Sequence, residues 1–347
     1  MQPLFSRPNP ELVSLKDISS IGFFISRDSA DKSPEGPPFY FSTKICDYDS
    51  ISGHARHFPT RLKIAPKKGP DISRPALTTP ISRTVANLSS AAQEYLKKLG
   101  IADFASNADA AAVIWHHALA IGYSPRYLDE NHEGIRNDWP RIPLPASKDV
   151  LVRSAKLGRS VAALLDIDGP LEGVTVNKLR PELSLIGSIS REGGGSLNPE
   201  AGDLDVNAGW GHRGKGGAVM PGKGKFVERD YTAKEREAIA AGATMLGLSE
   251  KQALKLIGDR TLDVYLNNLA YWKNISVRVW EYTIGGYQVI KKWLSYRERE
   301  ILGRALKTDE ARAVTDIARR IAAILLTEPE LDANYMMVKK AAYTGPL

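Results

Sequence analysis

The chain contains one cysteine in 347 residues, and this scarcity excludes an internal disulfide framework. The lone thiol, at Cys46, fits a reducing compartment, so we expect a cytoplasmic protein. Long apolar runs are missing too, because no stretch approaches the length that spans a bilayer and the N-terminus lacks a signal-peptide-like apolar segment. We therefore expect no association with a membrane.

Signatures of several enzyme classes are absent as well. The chain has no Glu-x-Lys, which disfavours a PD-(D/E)xK nuclease. Residues 209–215 and 217–223 match Gly-x-x-x-x-Gly-Lys, but glycine follows each match where a nucleotide-hydrolysing loop needs Ser or Thr to hold magnesium. Nucleotide hydrolysis is therefore not expected.

Residues 36–39, Gly-Pro-Pro-Phe, are similar to the Asn/Asp-Pro-Pro-Tyr/Phe motif of amino-methyltransferases. The first residue of that motif accepts a hydrogen bond from the target amino group, and Gly36 has no side chain to do so. No glycine-rich S-adenosylmethionine motif precedes it. We therefore expect no cofactor in this chain.

The composition is that of a globular protein with a moderate positive charge. Apolar residues make up 43% and charged residues 25%, and the length allows two domains with a sizeable core. Lysine and arginine total 47 against 40 acidic residues, a net charge of +7. This excess favours polyanionic partners without requiring them.

Local patterns predict an α+β protein. Residues 1–80 have the short extended runs, prolines and serines typical of strands and loops. Apolar spacing predicts helices over 88–99, 109–121 and 309–326, and a further helix capped by Ser147.

Other local signals mark the second half. Two capping boxes predict helix starts: Thr232 with Glu235, and Ser249 with Gln252. Alternation over 275–284 predicts a strand, and a glycine pair at 285–286 predicts a tight turn.

The sharpest local signal is a glycine-rich basic loop over residues 209–225. No acidic residue occurs between 206 and 227. Glycines let backbone amides approach an anion closely, and basic side chains neutralise phosphates. The alternative is a disordered, solvated surface loop. The candidate phosphate contacts are Arg213, Lys215, Lys223 and Lys225.

A second signal is the aromatic-rich block over residues 261–297. For most of its rings the simpler interpretation is an aromatic core beneath a short hairpin. Its basic and amide side chains are the candidate outward-facing readers, since Lys and Arg suit phosphates and guanine, and Asn and Gln suit adenine. These candidates are Lys273, Lys291, Lys292, Arg297, Asn267, Asn268 and Gln288.

The adjacent pair His116-His117 invites a metal-site interpretation that its spacing does not support. Neighbouring helical residues point about 100° apart, so the two rings do not readily bind one ion, and no His-Glu-x-x-His occurs. We expect packing roles for both histidines and no metal site.

Residues 136–145, Arg-Asn-Asp-Trp-Pro-Arg-Ile-Pro-Leu-Pro, form what we term the proline strap. Each proline fixes φ and removes an amide donor, so the segment cannot continue a helix, and we predict a stiff extended strap. Trp139 is expected to be buried beside it, and Arg141 to add a fixed charge. From the residues alone, the strap connects two packed units in one relative position.

This strap also resembles the Pro-Arg-Ile-Pro-Leu segment of the type ISP and related single-chain restriction–modification enzymes. Residues 115–166, with Tyr-Ser-Pro-Arg-Tyr at 123–127, are similar to the helical part of that family. Residues 280–297 resemble the closing segment of its C-terminal specificity domain, and residues 1–65 its junction with the methyltransferase.

The resemblance implies an α+β module that recognises a DNA target beside an adenine-specific methyltransferase. It divides the chain into a strand-and-loop junction at 1–80, a helical unit with the strap at 81–168, and a mixed α/β specificity domain with the basic loop and C-terminal helices at 169–347. The expected partners are double-stranded DNA and a methyltransferase or nuclease domain or subunit. S-adenosylmethionine is expected only in that partner or upstream domain, because the family's cofactor, nuclease and helicase motifs have no counterpart here.

Two other classes stay open. One is a helical scaffold whose basic loop binds RNA or an acidic partner. The other is a hydrolase that uses His116, His117 and the acidic residues near 203–205.

Overall fold

A computed structural model of the chain describes residues 22–27, 36–47, 50–51, 54–64, 83–104 and 107–345. These residues form helices and small antiparallel sheets, so the predicted α+β class is confirmed. Contacts divide the chain into unit 1, Met1–Ala162 with Leu331–Leu347, and unit 2, Ala163–Glu330. This division differs from the three predicted segments, because the C-terminal end groups with unit 1.

The described residues of unit 1 up to residue 86 include five short strands. They form a three-stranded antiparallel sheet in the order β2-β1-β3 and a two-stranded pair, β4-β5. Phe23 and Ile25, alternate residues of β1, pack with Ile51 and Ala55 in a small buried cluster. The strands are β1 (Phe23–Arg27), β2 (Phe39–Ser42), β3 (Ala55–Pro59), β4 (Arg61–Ile64) and β5 (Arg83–Ala86).

Helices follow close to the predicted positions, and each of the first three begins at a side-chain cap. The caps are Ser89, Asn107 and Ser124, whose oxygens accept bonds from backbone amides of the first turn. The helices are α1 (Ser90–Lys98), α2 (Ala108–Gly122), α3 (Pro125–Glu130), α4 (His132–Asn137) and α5 (Lys148–Leu165). At Gly158, α5 lies so close to α2 that a Cβ would overlap the His116 carbonyl.

The proline strap is extended from residue 138, as predicted, while its first two residues end α4, and its carbonyls accept bonds from three helices. Tyr127 donates to Arg141 (3.1 Å), and Tyr95 donates to Pro145 (2.7 Å). His117 Nε2 lies 2.9 Å from the Pro143 carbonyl. Side chains thus provide the partners that a proline-rich segment cannot find in a ladder. The whole strap lies within unit 1, where it joins the helices before it to the helix that follows it.

Trp139 is not buried against the strap. Its side chain is 45% exposed and meets Phe58 edge-on, with ring centroids 5.7 Å apart. The expectation of burial is therefore wrong, because the ring covers the surface of the strand sheet rather than entering it.

His117 forms a fully buried hydrogen-bonded chain with Ser154 and Asn334. Its Nδ1 lies 2.8 Å from Ser154 Oγ, which also accepts a bond from Asn334 Nδ2 at 2.9 Å. Because the Pro143 carbonyl only accepts, Nε2 carries the proton and Nδ1 accepts from the Ser154 hydroxyl. Burial lowers the pKa of His117 to about 4. These hydrogen bonds therefore require that the His117 imidazole is neutral.

This network predicts that the protein loses stability as pH falls from about 6.5 to 4. A folded pKa below the unfolded value of about 6.5 gives stability that is present above 6.5 and lost on acidification. For His117 the loss is about 3 kcal/mol, from about 1.4 kcal/mol per pKa unit. Urea unfolding of the full chain at pH 7, 5.5 and 4 measures it. His117→Gln should remove the His117 share of this loss, and the same change at the exposed His132 should leave the profile unchanged.

Unit 2 is built on a four-stranded antiparallel sheet in the order β6-β11-β10-β9. The inner face of the sheet carries Trp272, which is fully buried and donates from Nε1 to the Ala311 carbonyl at 3.0 Å. Two hairpins, β7-β8 and β12-β13, are separate two-stranded sheets. The strands are β6 (Ser188–Arg191), β7 (Gly211–Arg213), β8 (Val219–Pro221), β9 (Phe226–Arg229), β10 (Thr261–Tyr265), β11 (Ala270–Ser276), β12 (Thr283–Ile284) and β13 (Tyr287–Gln288).

Seven further α-helices lie in the described residues after α5. Both predicted capping boxes are confirmed, at the starts of the seventh and eighth helices. Residues 277–280, predicted as part of a strand, form a short helix instead. The last helix runs to Lys340 through Pro329, well beyond the predicted end at 326. They are α6 (Pro181–Ser184), α7 (Ala233–Met245), α8 (Glu250–Ile257), α9 (Val277–Trp280), α10 (Val289–Ser295), α11 (Arg299–Leu302) and α12 (Thr308–Lys340).

Candidate nucleic-acid interface

The glycine-rich basic loop forms an ordered hairpin. Strands β7 and β8 pair antiparallel, with His212 opposite Met220 and Arg213 opposite Val219. A 3-10 turn at Lys215–Gly217 joins them, and Gly216 at φ 74° requires a conformation that favours glycine. The alternative of a disordered solvated loop is therefore wrong for this stretch. We refer to residues 209–225 from here on as the basic hairpin.

The root of the basic hairpin is held by a buried carboxylate and a buried ring. Glu298, 6% exposed, accepts bonds from the backbone amides of Gly209 (3.1 Å) and Trp210 (2.7 Å). The Trp210 ring is fully buried and donates from Nε1 to the Tyr265 carbonyl at 2.7 Å. A Cβ on Gly224 would overlap that ring. Several glycines of this segment thus serve packing rather than close approach to phosphate.

The hairpin packs against the second half of the aromatic block. Helix α10 lies on β7 and β8, and the fit at Gly211 leaves no room for a Cβ beside the Ser295 carbonyl. This contact brings the two sequence signals, the basic loop and the basic helix carrying Lys291 and Lys292, to one place. The Lys292 ammonium lies over the Tyr287 ring, 4.1 Å from its centroid.

Three cationic groups of the hairpin are unengaged. Arg213, Lys215 and Lys223 are exposed. Across the part of the chain that the structure describes, no hydrogen bond, ion pair or ring contact holds their charged groups. Because unpaired surface cations are free to neutralise a ligand, these three are the strongest candidates for contact with an anionic polymer.

Lys225 is held differently. Its ammonium lies 4.4 Å from the centroid of the Tyr265 ring and 3.3 Å from Asn268 Oδ1. Lys225 and Asn268 are both exposed. These two predicted residues therefore lie together at the end of β10.

Asn267 is buried, and the expectation that it faces outward is wrong. It is 7% exposed, and its Nδ2 donates to the carbonyls of Asp203 (3.0 Å) and Asp205 (2.8 Å). Its Oδ1 accepts from the amides of Leu269 (2.8 Å) and Ala270 (2.9 Å). All four bonding positions of the side-chain amide are used within the protein, so none remains for a base.

The remaining predicted residues are half-buried. Gln288 donates from Nε2 to the Trp280 carbonyl at 2.6 Å. Arg297 stacks on Trp293 with 3.8 Å to the ring centroid, and burial lowers the pKa of its guanidinium. Lys273 lies on the outer face of β11, opposite Ser188 of β6. Stacked or bonded groups such as Gln288 and Arg297 are less available to a ligand than those of the hairpin.

The groups suggested for a hydrolase are packed or bonded within the fold. His116 packs its ring on Phe41, 5.5 Å between centroids, and burial lowers its pKa to about 4. Asp203 accepts from Arg191 at 3.3 Å and from the Asn198 amide at 2.8 Å. Among the described residues, no cluster of three or more His, Cys, Asp or Glu is arranged to hold a metal ion.

None of the described helices is long and apolar enough to cross a membrane.

Sequence reasoning misses two residues of this region. Glu298, which fixes the hairpin root, lies 88 residues from Trp210, and no local pattern connects them. His212 is exposed between Gly211 and Arg213, but a neutral histidine adds nothing to a charge count. Its position inside the acid-free segment is the signal that points to it.

Comparison with known proteins places these features in a family. The model of the Type ISP C-terminal specificity domain matches residues 2–178 and 223–327, and leaves 179–222, including β7 and β8, unmatched. None of the curated proteins matches the chain.

Three solved structures are similar over most of this chain. A nuclease-deletion mutant of the Type ISP enzyme LlaGI, in complex with a DNA substrate mimic, has 16% identity and a TM-score of 0.44, covering 90% of this chain and 21% of its own. The ATP-dependent Type ISP enzyme LlaBIII bound to DNA has 13% identity and a TM-score of 0.45, covering 91% and 16%. A DrdV–DNA complex has 15% identity and a TM-score of 0.47, covering 95% and 25%. The chain thus spans a quarter or less of each of these proteins, and by its family match it belongs to the Type ISP C-terminal specificity domain family.

Proposed function

We propose that this chain is the DNA target-recognition module of a restriction–modification system with an adenine-specific methyltransferase. It binds duplex DNA in register, and a catalytic domain or partner chain carries out methyl transfer and cleavage. Family membership supports the specificity role, since the matching model describes a specificity domain. A cytoplasmic location accords with this role and with the single cysteine.

One observation carries the proposal: an ordered hairpin presents unpaired cations next to a second basic element. Arg213, Lys215 and Lys223 have no intramolecular partner in the described structure, and α10 adds Lys291 and Lys292 beside them. Duplex DNA is a line of closely spaced negative charges, and neutralising it releases counterions. An ordered root means that these cations are positioned before DNA arrives, which lowers the entropy lost on binding.

The chain itself is proposed to bind no S-adenosylmethionine. Gly36 has φ 75°, a conformation that favours glycine, and it leads into Phe39, which is 1% exposed at the start of β2. The Gly-Pro-Pro-Phe segment therefore has a structural explanation as a buried turn. In this proposal the methyltransferase domain or subunit binds S-adenosylmethionine.

Replacing Lys215, Lys223 and Lys225 by Ala should weaken binding to every duplex and make its salt dependence shallower. Each phosphate contact contributes about 0.9 to the slope of log affinity against log salt, so loss of three contacts changes the slope by about 2.7. Preference among DNA sites should survive, because phosphate contacts position a protein without reading sequence. Fluorescence anisotropy with a labelled duplex at several salt concentrations measures both quantities.

A matched variant separates local contacts from net charge. Lys234, Lys251 and Lys255 are exposed lysines on α7 and α8, and their replacement by Ala removes the same charge. We expect this control to leave the slope within a few tenths of the wild-type value. Equal slopes for all three proteins would contradict the proposal and favour the scaffold alternative.

A further inference from the structure

We infer that the basic hairpin enters the major groove and that Arg213 reads a guanine there. The inference rests on the proposed function, because it assumes that the chain binds duplex DNA. It changes the role expected for Arg213 from phosphate contact to base contact. Lys215, Lys223 and Lys225 remain the phosphate contacts.

The shape of the hairpin fits the groove. The major groove is about 12 Å wide and admits a two-stranded β-ribbon. Between Arg213 and Val219 the turn contains three glycines and an alanine, so Lys215 is the only long side chain there. A tip with so little bulk lets the backbone approach the base edges, and the strand ends project their side chains furthest.

Arg213 is placed for base reading by an ordered surrounding. It occupies the last position of β7, opposite Val219, and its guanidinium is exposed and unengaged within the described residues. Gly211, two residues before Arg213 on β7, packs against Ser295 of α10. This contact fixes the position of β7 at the root of the hairpin. The guanidinium fork matches O6 and N7 of guanine, which is the commonest specific contact between proteins and DNA. Lysine can donate to the same two atoms, but only from one ammonium and without the planar fork of arginine.

The other predicted readers are less suited to this task. Asn267 uses all of its amide groups internally, and Gln288 is half-buried on Trp280. Arg297 is stacked on Trp293. Asn268 is exposed and bonded through Oδ1 to Lys225 of the basic hairpin, so base reading in this region centres on the hairpin and this neighbour.

The family comparison gives independent support. Residues 179–222 lie outside the family match, and they include the whole of β7 and β8. An element that is not shared with the family model is well suited to distinguish the target of this chain. The strongly held root would then be the fixed support for a variable reading tip.

The test begins with selection of preferred duplexes from a randomised pool by the full chain. Binding is then measured for wild type, Arg213→Lys and Lys215→Ala, using the selected duplex and versions in which single guanines are replaced by 7-deazaguanine. This base lacks the N7 acceptor but keeps Watson–Crick pairing. The affinity of the wild type should fall about 5-fold or more when one particular guanine is replaced by 7-deazaguanine. It should fall up to about 150-fold when that base pair is exchanged for another.

The two variants should behave in opposite ways. Arg213→Lys should weaken both the preference and the 7-deazaguanine effect, because a single ammonium replaces the guanidinium fork, while keeping the salt slope, because its charge is unchanged. Lys215→Ala should keep the preference with a shallower slope. A selected site without a guanine, or an unchanged preference in Arg213→Lys, would overturn the inference and leave the proposed function standing, whereas binding without any base preference would overturn both. Absence of duplex binding by the wild type would overturn both.

Discussion

Replacing Asn267 by Ala is expected to lower the free energy of unfolding by about 3 kcal/mol, while the same change at Asn268 alters it by less than about 0.5 kcal/mol. The buried amide of Asn267 joins the Asp203 and Asp205 carbonyls to the amides of Leu269 and Ala270. Removing it leaves these groups without their partner, and each buried unsatisfied group costs about 1–3 kcal/mol. Asn268 is exposed and contacts only Lys225 through a long bond of 3.3 Å.

Chemical denaturation followed by circular dichroism measures both variants of the full chain. The pair is well matched, because the two asparagines are adjacent in sequence and lose the same atoms. A stable Asn267→Ala that instead loses DNA sequence preference would contradict the structural role and restore Asn267 as a base reader.

These two residues show where sequence reasoning stops. An Asn-Asn pair beside aromatic and basic residues is typical of a base-reading surface, and only the tertiary structure separates them. The carbonyls that bind Asn267 lie more than 60 residues away along the chain. A contact between residues that far apart in sequence leaves no trace in a local sequence pattern.

Features that depend on a few consecutive residues were predictable. The capping boxes at Thr232 and Ser249 follow from side chains that bond amides three residues on, and both are present. The extended strap follows from the proline rings themselves. Glycine spacing and the absence of acidic residues identified the basic segment, though not its hairpin form.

Features decided by packing were not predictable. Trp139 is large and apolar, but its burial depends on whether neighbouring elements cover it, and here they leave 45% exposed. The apolar alternation over 275–284 is compatible with a strand, yet 277–280 turns into a helix at the end of β11. The ordered state of the hairpin depends on Glu298, which no nearby pattern connects to it.

Arg229→Met is expected to destabilise unit 2 by about 3–5 kcal/mol, the usual cost of breaking a buried ion pair from one side. The guanidinium of Arg229, on β9, binds Asp263 of β10 (2.9 and 3.0 Å) and Glu235 of α7 (2.8 and 2.9 Å). Glu235 is 4% exposed and also accepts the Thr232 amide in the capping box. Burial raises the pKa of Glu235, but bonds from Arg229 and Thr232 outweigh it and hold that pKa below its usual value.

The pH dependence of this loss distinguishes a broken ion pair from a packing defect. In the wild type, a lowered carboxylate pKa gives stability that is present above about 4.5 and lost below it. In Arg229→Met, burial is opposed by the Thr232 amide but no longer by the guanidinium, so Glu235 takes up a proton more readily as pH falls. The difference in unfolding free energy between the two proteins should therefore be largest at pH 7 and shrink towards pH 4, which urea unfolding at both values measures.

Arg236→Met is the control, because the pair of Arg236 with Glu250 is solvent-exposed and should be worth under about 1 kcal/mol. A loss for Arg229→Met that is as small as the control, or that does not change with pH, would contradict the assignment of these carboxylates to Arg229.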